Sequence, residues 1–221
     1  TLQVVTGAKL SAAQLVAFTA LTGGGTLTAA VAGTYDLGTK AGAHVFNLTG
    51  STGKDTLIGD GNAQTLRGGN GNDALFGWDG GDILDGGIGV DTLTGGLGDD
   101  SYNFALGYGL DSIVENDATA GNSDILNFGA GIARDQIWFV HTGNDLVLKV
   151  IGTTDMMTIK DWYSGGARHV EQIKTATGNI LLDGQVQNLV NAMAGLTIPS
   201  TTILSAAYHT QLDPVIAANW A

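Results

Sequence analysis

From Gly68 to Asn103 the chain reads GGNGNDALF, GWDGGDILD, GGIGVDTLT, GGLGDDSYN, four nine-residue units with no insertion between them. Three of them fit G-G-x-G-x-D-x-U-x at every fixed position, where U is a large apolar residue; the second has Trp78 in place of its second glycine and keeps the rest. Glycine permits the positive-φ backbone of a tight loop. The aspartate at the sixth position offers a hard oxygen ligand. The apolar residue at the eighth position points inward from a short strand. Each unit is thus a cation-binding loop followed by a strand, and two units make one turn of a parallel β-solenoid.

The pattern fades outward in both directions. Gly59–Arg67 (GDGNAQTLR) keeps the register but has Gln64 where the aspartate belongs, and Gly50–Ile58 (GSTGKDTLI) keeps Gly53, Asp55 and Leu57. After Asn103 the register slips by two residues, and Leu106–Val114 (LGYGLDSIV) restores it with Gly107, Gly109, Asp111 and Ile113. Degraded outer units are expected of a capped repeat stack. With two units per turn, alternate loops stack on the same side. One row carries Asp55, Asp73, Asp91 and Asp111; the other carries Gln64, Asp82 and Asp100. Inward residues form two ladders, Leu57–Leu75–Leu93 and Leu66–Leu84–Tyr102. Gln64 leaves its row one charged ligand short, and Asp100 lies nearer the end of that row than Asp82.

These units resemble the calcium-binding nonapeptides of the RTX (repeats-in-toxin), haemolysin-type family. The resemblance implies an all-β fold: a right-handed parallel β-roll bound to Ca²⁺, with N-terminal capping coils and a C-terminal β-rich cap plus short helices. It also implies how the ligands divide. One loop gives the carbonyls of its second and fourth positions plus its aspartate, and the stacked loop gives those of its first and third positions plus its aspartate. One site is then Gly69, Gly71 and Asp73 with Gly86, Ile88 and Asp91; another is Trp78, Gly80 and Asp82 with Gly95, Leu97 and Asp100. Carried onto the remaining loops, the pattern adds Ser51, Gly53, Asp55, Gly68, Asn70, Gly77, Asp79, Gly87, Gly89, Gly96, Gly98 and Asp111. Glu115, Asp117 and Asp124 follow the last repeat, Asp124 lying in GNSDILNF, which reads as one further coil; any of the three either completes a terminal ion site or is a solvated loop acid. Six oxygens suit Ca²⁺, and the stack has room for about five ions.

Leu2–Val5, Thr26–Val31, Tyr35–Leu37 and His44–Leu48 read as short strands, with a helix starting at Ser11 and ended by Gly23–Gly25. These segments are expected to cover the open edge of the roll. Acidic residues number 21 against 9 basic, a formal charge of −12, which repels nucleic acid and anionic membranes. No apolar run approaches the ~20 residues of a membrane span. The chain has no cysteine, no signal peptide and no initiating Met, so it is read as a piece of a larger exported bacterial protein.

Beyond the repeats, IWFV, NDLVLKV, MMTIKDW and VEQIKT read as strands of an antiparallel or rolled sheet, and their order resembles the module that follows calcium repeats in RTX proteins. Leu181–Ala194 has helical apolar spacing, and Ile203–Trp220 reads as a final helix. Asp213-Pro214 is read as a helix start, with proline in the first turn. By position, the tail resembles the uncleaved type I export signal of the family. His44, His141, His169 and His209 are scattered, and neither a G-x-S-x-G elbow nor a thiol is present, so catalysis is expected only in an upstream passenger domain. Four regions result: a cap (1–49), the calcium roll (50–114), a β-rich flank (115–180) and a helical export region (181–221). The expected function is Ca²⁺-driven folding outside the cell and type I secretion. A stalk, adhesin or surface-layer module using the roll as a rigid spacer is the alternative. Partners are calcium ions, the type I machinery and the upstream passenger, with no nucleic acid and no stable membrane insertion.

Overall fold

A computed structural model describes residues 3–4, 25–29, 32–37 and 46–221. Among these, the strands form two sheets. The first has nine strands: β1 (Gln3–Val4), β2 (Gly25–Ala29), β4 (Phe46–Thr49), β6 (Thr65–Gly71), β8 (Ile83–Gly89), β10 (Ser101–Phe104), β12 (Ile125–Phe128), β16 (Gln172–Thr175) and β17 (Ile180–Leu182). The second has eight, in the order β13 (Ile137–Thr142), β14 (Asp145–Val150), β15 (Met156–Ile159), β11 (Leu110–Ile113), β9 (Thr92–Leu97), β7 (Ala74–Asp79), β5 (Thr56–Ile58) and β3 (Thr34–Asp36). Through the repeats, consecutive strands alternate between the sheets and pair in parallel with the strand two units away. The chain is an all-β parallel roll.

Strand periodicity explains the core. Side chains alternate across a strand, so the apolar eighth position of every unit faces inward. Leu57 pairs with Leu75, Leu75 with Leu93, and Leu93 with Ile113, all at most 1% exposed. In the other sheet the ladder runs Leu48–Leu66–Leu84–Tyr102–Leu126–Ile173, extending past the repeats at both ends. Truncating one of these leucines to alanine costs about 2–5 kcal/mol.

The C-terminal strands do not stand apart. β13, β14 and β15 form an antiparallel meander, but β15 lies parallel to β11 and continues the roll's own sheet. β16 likewise lies parallel to β12. The helix expected over Leu181–Ala194 forms as α1 (Asp183–Met193), burying Val186, Leu189, Val190 and Met193. Gly195 follows at φ +80°.

The reading of Asp213-Pro214 as a helix start is corrected. The last helix, α2, spans Ala206–Asn219, with Pro214 inside it. Ser205 is the true N-cap, its Oγ accepting from Tyr208 N at 3.4 Å. Burial of Leu212, Ile216 and Trp220 against the core holds the helix through the proline. Trp220 packs edge-on to Phe139, and the Ala221 and Ile180 backbones exchange two hydrogen bonds of 2.9 Å. Expected strands at Leu2–Val5, Thr26–Val31, Tyr35–Leu37 and His44–Leu48 correspond to β1 to β4. The helix from Ser11 lies outside the described residues, as does His44. Among the described residues no helix is long and apolar enough to cross a membrane.

Candidate calcium sites

The repeat aspartates stand at the loop–strand junctions and tie neighbouring coils together. Asp73 Oδ1 accepts from Asp55 N, Asp91 Oδ1 from Asp73 N, and Asp111 Oδ1 from Asp91 N, at 2.7–2.9 Å. In the second row Asp82 Oδ1 accepts from Gln64 N and Asp100 Oδ1 from Asp82 N, both at 2.7 Å. The expected two-row stacking is thus visible as two hydrogen-bonded ladders.

The second carboxylate oxygen decides the chemistry. Oδ2 of Asp73, Asp82, Asp91 and Asp100 is buried and has no hydrogen-bond partner. Those four aspartates belong to the four unbroken repeats. Each Oδ2 occupies the space a β-carbon would need on its own loop's first glycine: Gly68, Gly77, Gly86 and Gly95 respectively. In two of these places the carbonyl of the next stacked glycine converges as well. Asp73 Oδ2 and Gly86 O both lie 2.5 Å from where a Gly68 β-carbon would stand. Asp82 Oδ2 and Gly95 O crowd the same point at Gly77. A side chain there would fill a hollow lined by oxygens. Buried polar atoms are nearly always hydrogen-bonded, and buried charge requires a compensating charge. The donor set is all oxygen and anionic, which suits a hard divalent cation.

Burial pushes the carboxyls up: Asp82 to about 7, Asp91 to about 6, and Asp100 and Asp111 to about 8, with neighbouring carboxylates adding to the rise. Asp73 is raised for the same reasons. In each row, burial and the neighbouring carboxylates therefore disfavour the charged form of the aspartates.

Two stretches of the chain match known family models. RTX calcium-binding nonapeptide repeats match residues 49–84, 58–93 and 79–109. Residues 49–109 are thus RTX calcium-binding nonapeptide repeats. A second family, the haemolysin-type calcium binding protein related domain, matches residues 145–183. Among curated proteins, the iron-regulated protein FrpA of Neisseria meningitidis serogroup C is 33% identical over 92 residues. That alignment covers 40% of this chain and 8% of the relative.

The third positions, Asn70, Asp79, Ile88 and Leu97, expose their side chains, leaving only their backbone available to a bound ion. Trp78 takes a glycine-like φ of 80° and leaves its ring in solvent. Gly96 stacks over it, so close that a β-carbon on Gly96 would strike the Trp78 carbonyl. Gly87, Gly89 and Gly98 meet the carbonyls of Gly69, Gly71 and Gly80 in the same way.

Two edges differ from the sequence reading. At the N-terminal edge, Asp55 Oδ2 is already occupied by Ser51 N and Oγ, at 2.7 and 2.8 Å. Gly69 stacks on Ser51 and Gly71 on Gly53. The loop of Gln64 is not short of a carboxylate: Asp60 is buried there and accepts from Gln64 Nε2 and from Asn62 N. Gln64 Oε1 abuts Gly59, in the place the aspartate Oδ2 takes elsewhere. At the other edge Asp100 does not end its row. Asp124 Oδ1 accepts from Asp100 N at 2.8 Å, and Glu171 Oε2 accepts from Asp124 N at 2.7 Å. Sequence reasoning missed Glu171, although Glu171-Gln-Ile173 repeats the acid-x-apolar spacing of Asp73-Ala-Leu75.

Three of the four histidines lie among the described residues. His169 stacks on Trp162 and contacts Asp183 at 3.1 Å; His141 lies against Tyr163; His209 contacts Asp213.

Proposed function

We propose that this chain is the calcium-folded, export-directing C-terminal part of a larger secreted bacterial protein, divided as 1–49, 50–114, 115–180 and 181–221. The observation that carries the reading is the set of four buried, unpartnered Oδ2 atoms. Asp73, Asp82, Asp91 and Asp100 would hold Ca²⁺ together with loop carbonyls and the stacked aspartates Asp111 and Asp124. About five ions would fill the stack. Bound Ca²⁺ supplies positive charge to the carboxylate columns and takes its ligands as oxygens.

The chain's own residues set the switch. Where calcium is scarce, the stacked aspartates repel one another and lose hydration on folding, so the roll stays open and can thread an export channel. Where calcium is abundant, the same residues favour the stacked state. Ligand that binds only the folded state stabilises it by about 2.7 kcal/mol per site at ~100-fold excess over Kd. Several sites together match the ~5–15 kcal/mol of an ordinary domain.

The test is circular dichroism of the 221-residue chain in chelator and in millimolar Ca²⁺ at neutral pH. A cooperative gain of β-structure with Ca²⁺ is expected. Identical spectra would remove the reading.

A further inference from the structure

The second aspartate row runs past the last RTX repeat and meets a carboxylate that belongs to no repeat. Asp100, Glu115 and Asp124 each place a carboxylate oxygen within 4.8 Å of the others, and all three residues are buried. Glu115 lies on the segment between β11 and β12 and is 1% exposed. Its Oε1 accepts a hydrogen bond from Tyr102 Oη, and its Oε2 accepts from Asn116 N at 3.2 Å. Asp124 accepts from Asp100 N through Oδ1 and from Asn122 Nδ2 through Oδ2, at 2.8 and 2.9 Å. Asp100 Oδ1 accepts from Asp82 N, while Asp100 Oδ2 accepts from nothing, although the residue is 0% exposed.

Comparison with the repeats shows where that orphaned oxygen points. At Gly68 and Gly77, the aspartate Oδ2 is met by the carbonyl of the next stacked glycine. No glycine loop stacks beyond Gly95. There, Asp100 Oδ2 is met instead by Tyr102 Oη, the hydroxyl that reaches Glu115. The non-repeat segment thus brings a side-chain carboxylate to the end of the row where the repeats bring a backbone carbonyl. The same segment is fastened over the last loop: Asp117 Oδ2 accepts from Gly98 N at 3.0 Å, and Asp99 Oδ1 from Ser123 N at 2.9 Å.

Among the described residues, no Lys, Arg or His forms an ion pair with any of the three carboxylates. Arg168 donates to the Glu115 backbone carbonyl, at 3.2 Å. Three buried carboxylates around one oxygen that lacks a partner are stable together only with a counter-charge between them.

We infer that Asp100, Glu115 and Asp124 form a further Ca²⁺ site, closed by Glu115 from outside the repeats, which completes the C-terminal end of the second row. The inference rests on the calcium reading of the repeats above. Tyr102 is its positioning residue, holding Glu115 with its hydroxyl while accepting from Gly95 N at 2.9 Å. Three anionic ligands, against two aspartates in a repeat site, favour tighter binding here, since ligand charge count tunes affinity.

The experiment is a count of bound ions on the full chain, by native mass spectrometry and calorimetric titration with CaCl₂. Glu115→Gln is expected to bind one ion fewer than the parent, with the tightest step lost and the others unchanged. The same number of ions with the same affinities in Glu115→Gln overturns the inference. A parent chain that binds no calcium overturns the function proposed above instead. Should Glu115→Gln fail to fold in Ca²⁺, crystals of the parent grown with Tb³⁺ give the answer. An anomalous peak about 2.3–2.6 Å from the three carboxylates, the usual Ca²⁺–oxygen range, upholds the site. Peaks at the repeats and none there overturn it.

Discussion

Trp78 shows how far a repeat loop tolerates a departure from its pattern. Its φ of 80° is the left-handed region, where an L-residue with a β-carbon carries about 1–2 kcal/mol of strain. Its ring recovers little, being 61% exposed. Trp78→Gly is therefore expected to stabilise the calcium-loaded roll by about 1 kcal/mol, read as a higher denaturation midpoint in saturating Ca²⁺; an unchanged or lower midpoint would mean the exposed ring has a packing role. The residue scale is also where the sequence was easiest to read. Asp55 to Asp111 and their inward leucines recur at a near-fixed interval, so period alone assigns loop, strand and face. Asp60 was not legible, because it sits at the second loop position, where the four central repeats have glycine or Trp78. Glu115 carries no period at all, and only the folded chain brings it to Asp100.

Among elements, the carboxylate ladders tie stability to pH. In the unfolded chain these carboxyls titrate near about 4. In the roll, burial first and neighbouring acids second raise Asp91 and Asp124 to about 6, Asp82 to about 7, Asp100 and Asp111 to about 8, and Glu115 to about 9. A folded value above the unfolded one means that protons favour the folded state. The contribution is fully present below about pH 4 and is lost as pH rises through 6 to 9. Calcium-depleted protein should accordingly keep more β-structure at pH 5 than at pH 8, and calcium binding near pH 6.5 should release protons. Circular dichroism across pH without calcium, and calorimetry in buffers of different ionisation enthalpy, check both. A pH-independent calcium-free spectrum would contradict the burial of these groups. The C-terminal strands were legible as strands, but their places in the roll were not. β15 and β16 pair with β11 and β12 in parallel across the intervening chain, and no local pattern announces such a partner. Helix α2 misled for a related reason: proline marks a helix start only when packing does not carry the helix through it.

In the whole molecule, the tail has two employments under the proposed function. Leu212, Ile216 and Trp220 close the end of the core, and Ala221 pairs with Ile180. Under that proposal the same residues would also carry the export information. Removing Gly195–Ala221 is expected to abolish secretion by a matched type I system, scored as chain in the culture medium. It should also weaken the C-terminal end of the roll, seen as earlier hydrogen exchange in β13 and β17. Normal secretion of the truncated chain would place the export information elsewhere.

The aspartate ladders give the stack a polarity. Each ladder amide belongs to one coil, and the oxygen that satisfies it arrives on the next coil toward the C-terminus: Asp55 N waits for Asp73, Asp100 N for Asp124, and Asp124 N for Glu171. A coil is therefore complete only when its successor is in place. Cutting the chain from its N-terminal side leaves every later coil's amide answered. Cutting from the other side orphans one at the new end, wherever that end falls. Dependence runs one way along the roll: the second row's series closes on the non-repeat residues Asp124 and Glu171, and the first row's on Asp111, the last repeat aspartate.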